Sequence, residues 1–568
     1  MRPTNMKNTL SKTQLLVALT MAVALLLTSA AFAAAPGITG GAATAASVTF
    51  NLIAKDSYIS QPDGQSIYSW GYGCNGDPVG YAPAAITSSF CNTMQVPGPT
   101  LIVTEGQAVT VNLQNGLPTA AGNTSILFPG FTLSSTNGGV PGLLTQEAAP
   151  NGSVSYNFTA SSPGTRAYYS GTQGDLQIEM GMYGVIIVLP KSIPANCTSG
   201  IHSQNAKAQA YWNEKDYRLA AAAYDHPDTC YDREYLFQFS EMDPRIHSQA
   251  EAQVLAIQAK GGCTAGAAGC SLNVPTEPYH PAYFLINGRS MPDDMDPNYS
   301  PQYPHQPYNG DPHMHPGELA LIRVVGQGRW QHPFHEHANH VRILARDGNL
   351  ILSDPANPAN TIKYDGITNG TALAGPALFT TSTVPGQTAD GIFYFTGKGL
   401  NWDMYAHHPG DASDPAASLG CTPDANGYNT GGNAYQAINY FEWCQDHNKP
   451  LEVAPFGDVG TGGPVTLPDP NILTNGPWYS GSPYLGPDAT ARSTFGACSG
   501  SGNSASCGTT GTTPPSGTIA NSPSSEAGFA YMWHSHNERE ITTNNIFPGG
   551  MLMMLLVDSR EFVIDETN

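Results

Sequence analysis

Apolar and polar residues alternate with a period of two along much of the chain. The segment "PTLIVTEGQAVTVNLQN" (99–115) shows this pattern on both sides of a Glu-Gly turn, and "GSVSYNFTA" (152–160) repeats it. Successive side chains of a strand point to opposite faces, so the pattern is typical of half-buried antiparallel sheets. The apolar run "MYGVIIVLP" (182–190) fits a strand that is buried on both faces. We therefore predict an all-β chain, with a first β-sandwich over residues 48–190.

A second β-domain is predicted over residues 232–568, because strand-like segments lie at both of its ends. Residues 191–231 have the composition of a linker with a short helix. Two Gly-, Asn- and Ser-rich stretches, about 408–435 and 497–527, are typical of loop insertions into the second domain.

The N-terminus has the form of a secretory signal peptide. A basic segment precedes an apolar run at 15–27, and "AFA" follows at 31–33. We expect cleavage near Ala33 and a periplasmic or extracellular protein. No later apolar run reaches the length of a membrane span. The net charge of −21 argues against a nucleic-acid partner, because such binding needs basic surface.

The chain has ten cysteines, an even number, and in an exported protein these are expected to form disulfides. Sequence alone cannot fix their connectivity, but neighbour pairing is favoured. The favoured pairs are Cys74/Cys91, Cys197/Cys230, Cys263/Cys270, Cys421/Cys444 and Cys498/Cys507.

Two histidine-rich segments, "HPFHEHANH" and "WHSHNEREITTNNIFPGGM", lie about 200 residues apart. Residues two apart in a strand share a face, so His335 projects with His337, and His534 projects with His536. Two such pairs on neighbouring strands would bring four imidazoles together. Imidazole suits copper, zinc, iron and nickel, so the ligands alone do not select the metal. The alternative is a hydrogen-bonded group of histidines without a metal.

A third segment, "DPHMHPGE" (311–318), combines methionine with His313 and His315. These side chains could bind copper. However, proline and glycine surround them, and a strand follows, so we interpret the segment as a surface turn.

Several segments together resemble the multicopper oxidase family, which is built of cupredoxin domains. "HPFHEHANH" resembles the family's HPxHxHGH, and "HSHNEREITTNNIFPGGM" resembles its HCHxxxHxxxxGM. The first-domain segments follow the family's order; they are "VPGPTLIVTEGQAVTVNLQN" (96–115), "NTSILFPG" (123–130), "GGVPGLLTQEAAPNGSVSYNF" (138–158), "GTRAYYSGTQ" (164–173) and "GMYGVIIV" (181–188). The resemblance implies two cupredoxin-like Greek-key β-sandwich domains with long loop insertions, and copper as the cofactor.

The family's motifs imply a blue copper site with His332 as one ligand and Met551 as a possible axial ligand. This chain departs from the pattern, because the cysteine position is Ser535 and the second histidine position falls at or near Glu540. A serine hydroxyl cannot replace the thiolate that a blue site needs. We therefore predict no blue copper site, and His332 and Met551 could simply pack.

The family's three-copper cluster needs eight histidines in four pairs. Its first-domain pairs correspond here to residues 127–129 and 169–171, which contain no histidine. Only the two second-domain pairs remain, so the resemblance implies a reduced, non-blue site with one or two copper ions.

Further ligands could come from residues beside the two pairs. His340 could serve as a shifted imidazole. Glu336, Glu538 and Glu540 could add carboxylates, although salt bridges from the glutamates to Arg342 or Arg539 are favoured.

These observations predict an exported copper-binding protein, and a copper-dependent oxidoreductase if it is an enzyme. Its substrate would be a small reductant or a metal ion. A non-catalytic metal carrier or surface scaffold is the alternative, and a zinc or iron site is a weaker one. The resemblance also implies a homotrimer as one possible assembly, because two-domain members of the family form trimers.

Overall fold

The protein is described here by a computed structural model. The described residues are 35–83, 91–353, 361–364, 367–398, 420–447, 498–499, 506–507, 529–558, 560 and 563–564. The predicted signal peptide lies outside them, as do the first part of the insertion predicted near 408–435 and most of that predicted near 497–527. Among the described residues, no helix is both long and apolar enough to cross a membrane.

The first domain is a sandwich of two five-stranded sheets. In chain order its strands are β1 (Gly37–Thr39), β2 (Ser47–Ser60), β3 (Ser66–Cys74), β4 (Gly80–Ala82), β5 (Leu101–Thr104), β6 (Ala108–Asn115), β7 (Ser134–Thr136), β8 (Val140–Pro141), β9 (Gln146–Glu147), β10 (Ser153–Thr159), β11 (Gly164–Tyr169) and β12 (Tyr183–Leu189). One sheet has the order β11-β12-β5-β1-β4 and the other β3-β2-β6-β10-β7. Buried side chains such as Phe50, Trp70 and Val111 fill the space between them.

The second domain is also a sandwich. Its strands are β13 (Arg233–Met242), β14 (Tyr283–Ile286), β15 (His313–Met314), β16 (Leu319–Gly326), β17 (His332–Glu336), β18 (Val341–Arg346), β19 (Asn349–Leu350), β20 (Thr361–Tyr364), β21 (Ile367–Thr371), β22 (Ala377–Leu378), β23 (Thr380–Thr383), β24 (Thr388–Tyr394), β25 (Cys498–Ser499), β26 (Ser506–Cys507), β27 (Phe529–Ser535) and β28 (Leu552–Val557). One sheet has the order β14-β13-β16-β24-β18-β19, with β22 beside β18, and the other β15-β28-β27-β17-β23. Phe237, Phe334 and Trp533 pack between the two sheets. The prediction of an all-β chain with two sandwiches is confirmed.

Within the described residues, helices are few and connect the sheets. They are α1 (Gly174–Gln177), α2 (Gly200–Tyr211) and α3 (Pro244–Gln258), with short 3-10 turns at Thr119–Ala121, Ala195–Thr198, Pro227–Thr229, Asp293–Met295, Ala434–Gln436 and Cys444–Asp446. Helix α2 lies in the segment predicted as a linker. Helix α3 begins where the Asp243 side chain accepts a hydrogen bond from the Arg245 amide and Pro244 occupies the first helical position.

The two sandwiches pack against each other through one sheet of each. Apolar side chains from β11 and β12, such as Ala167 and Ile187, meet Leu236 and Val325 from β13 and β16. The sheet that carries β17 and β27 lies on the opposite side of the second core. The histidine-bearing strands therefore belong to the layer of the second domain that faces away from the first domain.

Disulfides join four of the five predicted cysteine pairs. The bonded pairs are Cys74–Cys91, Cys197–Cys230, Cys263–Cys270 and Cys421–Cys444. Cys498 and Cys507 occupy opposing positions of β25 and β26, and their side chains lie outside the described part of the chain.

Candidate metal centre

The pairing of β17 with β27 brings the two histidine motifs together. The strands are antiparallel, and His335 lies opposite His534. The Nε2 atoms of His337 and His534 are 3.2 Å apart. One ligand nitrogen from each of these three histidines lies within 4.8 Å of the others. Imidazole nitrogens bind an ion at about 2.0 Å, which places two of them at most about 4 Å apart. Small side-chain movements are therefore enough for these nitrogens to share one ion.

Hydrogen bonds orient the rings of His335 and His534, and the partner of His534 also sets its tautomer. His335 Nδ1 lies 2.7 Å from Thr380 Oγ1, and His534 Nδ1 lies 2.6 Å from the carbonyl oxygen of Ser535. A donor N–H at Nδ1 leaves the lone pair on Nε2. Metal-binding histidines commonly donate their second ring nitrogen to a neighbouring oxygen in this way. The Ser535 carbonyl oxygen can only accept, so His534 donates from Nδ1 and carries its lone pair on Nε2, as a ligand requires.

The surroundings of the cluster also favour neutral imidazole. Burial and the proximity of His534 and His536 lower the pKa of His335 to about 4. Burial likewise lowers the pKa of His534. A metal can bind imidazole only in its neutral form. At neutral pH both side chains therefore hold a lone pair for an ion.

Two of the predicted ligands lie at the edge of this group. His536 has its ring centroid 4.7 Å from that of His335, and 54% of its side chain is exposed. His340 packs against Phe379, with ring centroids 5.0 Å apart. Neither belongs to the group of three close nitrogens. The cluster is thus buried on one side and open towards His536 on the other.

The position that the resemblance gives to blue copper contains a buried network of hydrogen bonds. Glu540 Oε2 lies 2.9 Å from His332 Nδ1 and accepts a 2.5 Å hydrogen bond from Ser535 Oγ. His332 Nε2 lies 2.8 Å from Glu241 Oε2. Met551 is buried nearby, and its amide donates to the carbonyl oxygen of Glu540.

This network does not fit a copper ion. Burial lowers the pKa of His332, but its hydrogen bonds with Glu241 and Glu540 outweigh this effect and raise the pKa to about 9. His332 is therefore an imidazolium at neutral pH and has no lone pair to offer. Ser535 also supplies no thiolate.

The glutamates beside the two motifs do not form the salt bridges to Arg342 and Arg539 that the sequence analysis favoured. Glu336 is fully buried, and burial raises its pKa well above the usual range. Glu538 is exposed, with an oxygen 3.8 Å from His536 Nδ1. Within the described residues Arg342 donates to the carbonyl oxygen of Gly375, and Arg539 donates to the Asn545 side chain. The expectation of Glu–Arg pairing was wrong, because the glutamates are buried or point elsewhere.

Sequence reasoning missed Glu241. It lies on β13, 91 residues before His332. It is the one charged residue in the segment "LFQFSEM", and a charge buried without a partner is unfavourable. That signal alone could have indicated a buried cationic partner, although not which one.

The segment 311–318 is buried, so its interpretation as a surface turn was wrong. His313 lies between Asp311 and Asp558, at 3.2 and 2.7 Å. Burial lowers the pKa of His313, but the two carboxylates outweigh this effect and raise it to about 10. His315 Nε2 lies 2.8 Å from Glu214 Oε2.

Glu214, His315 and Glu318 are close enough together to hold a metal ion. However, Arg233 pairs with both carboxylates and Arg560 pairs with Glu318. The group is therefore an internal ion-pair network.

The first-domain positions offer no imidazole. Leu127 and Tyr169 form a backbone bridge with each other. Phe128 packs in the first core, and Ser170 Oγ donates to Gln177 Oε1 at 2.7 Å. These apolar and hydrogen-bonded side chains complete the first sandwich.

Comparison with known proteins finds similarity to multicopper oxidases over part of the chain. Residues 84–193 match the family model described as multicopper oxidase. Multicopper oxidase MCE of Talaromyces pinophilus is 36% identical over 99 residues, which cover 17% of this chain and 16% of that protein. Residues 84–193 of this chain are therefore similar to a multicopper oxidase domain. Copper resistance protein A of Pseudomonas syringae pv. tomato is 33% identical to this chain over 117 residues, which cover 20% of this chain and 18% of that protein.

The matched segments of this chain span less than a fifth of the length of those two relatives. Among solved structures, the blue copper oxidase from Nitrosomonas europaea aligns with 89% of this chain and 85% of its own, at 15% identity and a TM-score of 0.41.

Proposed function

We propose that this chain is an exported copper-binding oxidoreductase with a reduced, non-blue centre. The centre is held by His335, His337, His534 and His536, and it takes one or two copper ions. Its substrate is a small reductant or a metal ion that reaches the open side of the cluster.

One observation carries this proposal. Two histidine pairs meet across adjacent strands. The hydrogen bond from His534 Nδ1 to the Ser535 carbonyl places the lone pair of His534 on Nε2, and the pKa values of His335 and His534 are lowered. Copper in this site would supply one-electron redox chemistry. The chain's own residues would hold the ion, through Nε2 of His335, His337 and His534. Thr380 would fix the ring orientation of His335. His536, which is half exposed, would form the boundary between the ion and solvent.

The first test measures copper content and the electron paramagnetic resonance spectrum of the purified protein, beside the double variant His335→Ala with His536→Ala. We expect about one or two coppers, no blue absorption band, and loss of the copper in the variant. Turnover of phenols, Mn(II), Fe(II) or Cu(I) then tests the oxidoreductase activity. No stoichiometric copper in the unaltered protein would refute the proposal.

A metal carrier is the second candidate, because the position that the resemblance gives to blue copper does not fit the ion, whereas the histidine cluster does. Copper binding without turnover of any of these reductants would favour the carrier. Export and a homotrimeric assembly belong to the same proposal. Fractionation of the producing cell and light scattering of the purified protein test them.

A further inference from the structure

A buried network joins the two strands that carry the histidine ligands. It consists of Glu241, His332, Glu540 and Ser535, and we call it the carboxylate clamp. His332 begins β17, three residues before His335. Ser535 ends β27, between His534 and His536. One oxygen, Glu540 Oε2, binds both His332 and Ser535 and so connects the two strands.

We propose that Glu540 is a positioning residue for the metal centre, because its carboxylate clamp sets the spacing between the two histidine pairs. The inference rests on the proposed function, since it concerns the ligands of that same centre. The clamp lies at the position that the resemblance gives to blue copper, and it connects the two strands there.

The first argument is the shortness of the β17–β27 ladder. Only three positions are in register, from Phe334 opposite Ser535 to Glu336 opposite Trp533. The ladder ends beside the histidines, and one further backbone bond, from the His536 amide to the Pro333 carbonyl, extends it. So short a ladder leaves the spacing of the two histidine pairs dependent on side-chain contacts.

The second argument is the completeness of the clamp. Glu540, His332 and Ser535 are fully buried. Both nitrogens of His332 face carboxylate oxygens, so each donates a hydrogen bond. The other Glu540 oxygen accepts from Asn537 Nδ2 at 2.8 Å.

Glu241 is anchored in turn by the backbone amides of Arg329 and Trp330, at 2.7 and 2.9 Å. A network whose members are satisfied in this way is rigid, and rigid outer contacts orient metal ligands.

The test compares the Cu(II) affinity and paramagnetic resonance spectrum of the full-length protein with those of Glu540→Ala, Glu540→Gln and Ser535→Ala. Loss of a group that orients ligands typically weakens metal binding 10- to 100-fold. We expect Glu540→Ala to raise the dissociation constant by about that factor and to alter the spectrum. Glu540→Gln keeps an acceptor oxygen and should have a smaller effect. Ser535→Ala removes a single hydroxyl that donates to Glu540, so this milder variant still tests the clamp if Glu540→Ala does not fold.

Asp390→Asn is the matched control. Asp390 is also a buried carboxylate of the second domain, and it accepts hydrogen bonds from Thr165 and Tyr224 on the side away from the cluster. We expect this variant to melt at a lower temperature but to bind copper as the unaltered protein does. If the Glu540 and Ser535 variants also lose only thermal stability, the inference is overturned and the clamp is merely structural. If the unaltered protein binds no copper, the proposed function fails first and the inference fails with it.

Discussion

The buried His313 should make the fold lose stability as the pH rises from neutral to alkaline values. Its imidazole lies between the carboxylates of Asp311 and Asp558, which come from two distant parts of the second domain. Substitution by glutamine, His313→Gln, removes the positive charge and keeps a hydrogen-bonding side chain of similar size. We expect this variant to be less stable at neutral pH and to lose part of the pH dependence of the unaltered protein.

The magnitude follows from the pKa of His313. It is about 10 in the folded chain, against 6.5 for an ordinary histidine. Each pKa unit corresponds to about 1.4 kcal/mol, so the protonated group contributes up to about 5 kcal/mol at low pH and about 4 kcal/mol at pH 7. Because the folded-state pKa is the higher one, this stability is fully present below pH 6.5 and is lost as the pH rises towards 10. A typical folding free energy is about 5–15 kcal/mol, so the loss should be easily measured.

The assay is guanidinium unfolding at several pH values between neutrality and about pH 10, followed by tryptophan fluorescence. Trp533 is fully buried in the second core and reports on the domain that contains His313. The informative quantity is the free-energy difference between the unaltered protein and His313→Gln, because other alkaline titrations largely cancel in it. This difference should shrink by about 3 kcal/mol or more across the range. A constant difference would refute the reasoning and would mean that His313 is neutral in the folded protein.

Two further predictions concern a disulfide and the position that the resemblance gives to blue copper. Replacing Cys197 and Cys230 by serine opens a 33-residue loop and should lower the free energy of unfolding by about 4 kcal/mol in non-reducing buffer; an unchanged denaturation midpoint would contradict this. Ser535→Cys with Glu540→His supplies a thiolate and a second imidazole beside His332, so copper addition should produce a blue absorption band. Neither substitution alone should do so, and a colourless double variant would mean that these positions do not converge on one ion.

The sequence allowed prediction of features that depend on local pattern. The alternation of His335 with His337, and of His534 with His536, indicated two strands with one ligand face each, and the strands do pair with His335 opposite His534. The cysteine pairs could likewise be proposed from their spacing.

Features that depend on distant packing could not be predicted. Nothing local to "DPHMHPGE" reveals that Glu214 from the linker and Asp558 near the C-terminus cover it. The partnership of Glu241 with His332 has the same origin, because the pairing of β13 with β14 and β16 decides where that carboxylate lies.

The two histidine strands are neighbours in space, yet His337 and His534 are separated by 197 residues along the chain. Closing a loop of that length costs about 3 kcal/mol more entropy than closing a ten-residue loop, and contacts of such long range form slowly. An unfolded chain therefore presents two separate histidine pairs, each able to hold an ion by two nitrogens at most. The four histidines come together only after both ends of the second domain have met, so in the proposed centre uptake of an ion would mark a chain that has finished folding.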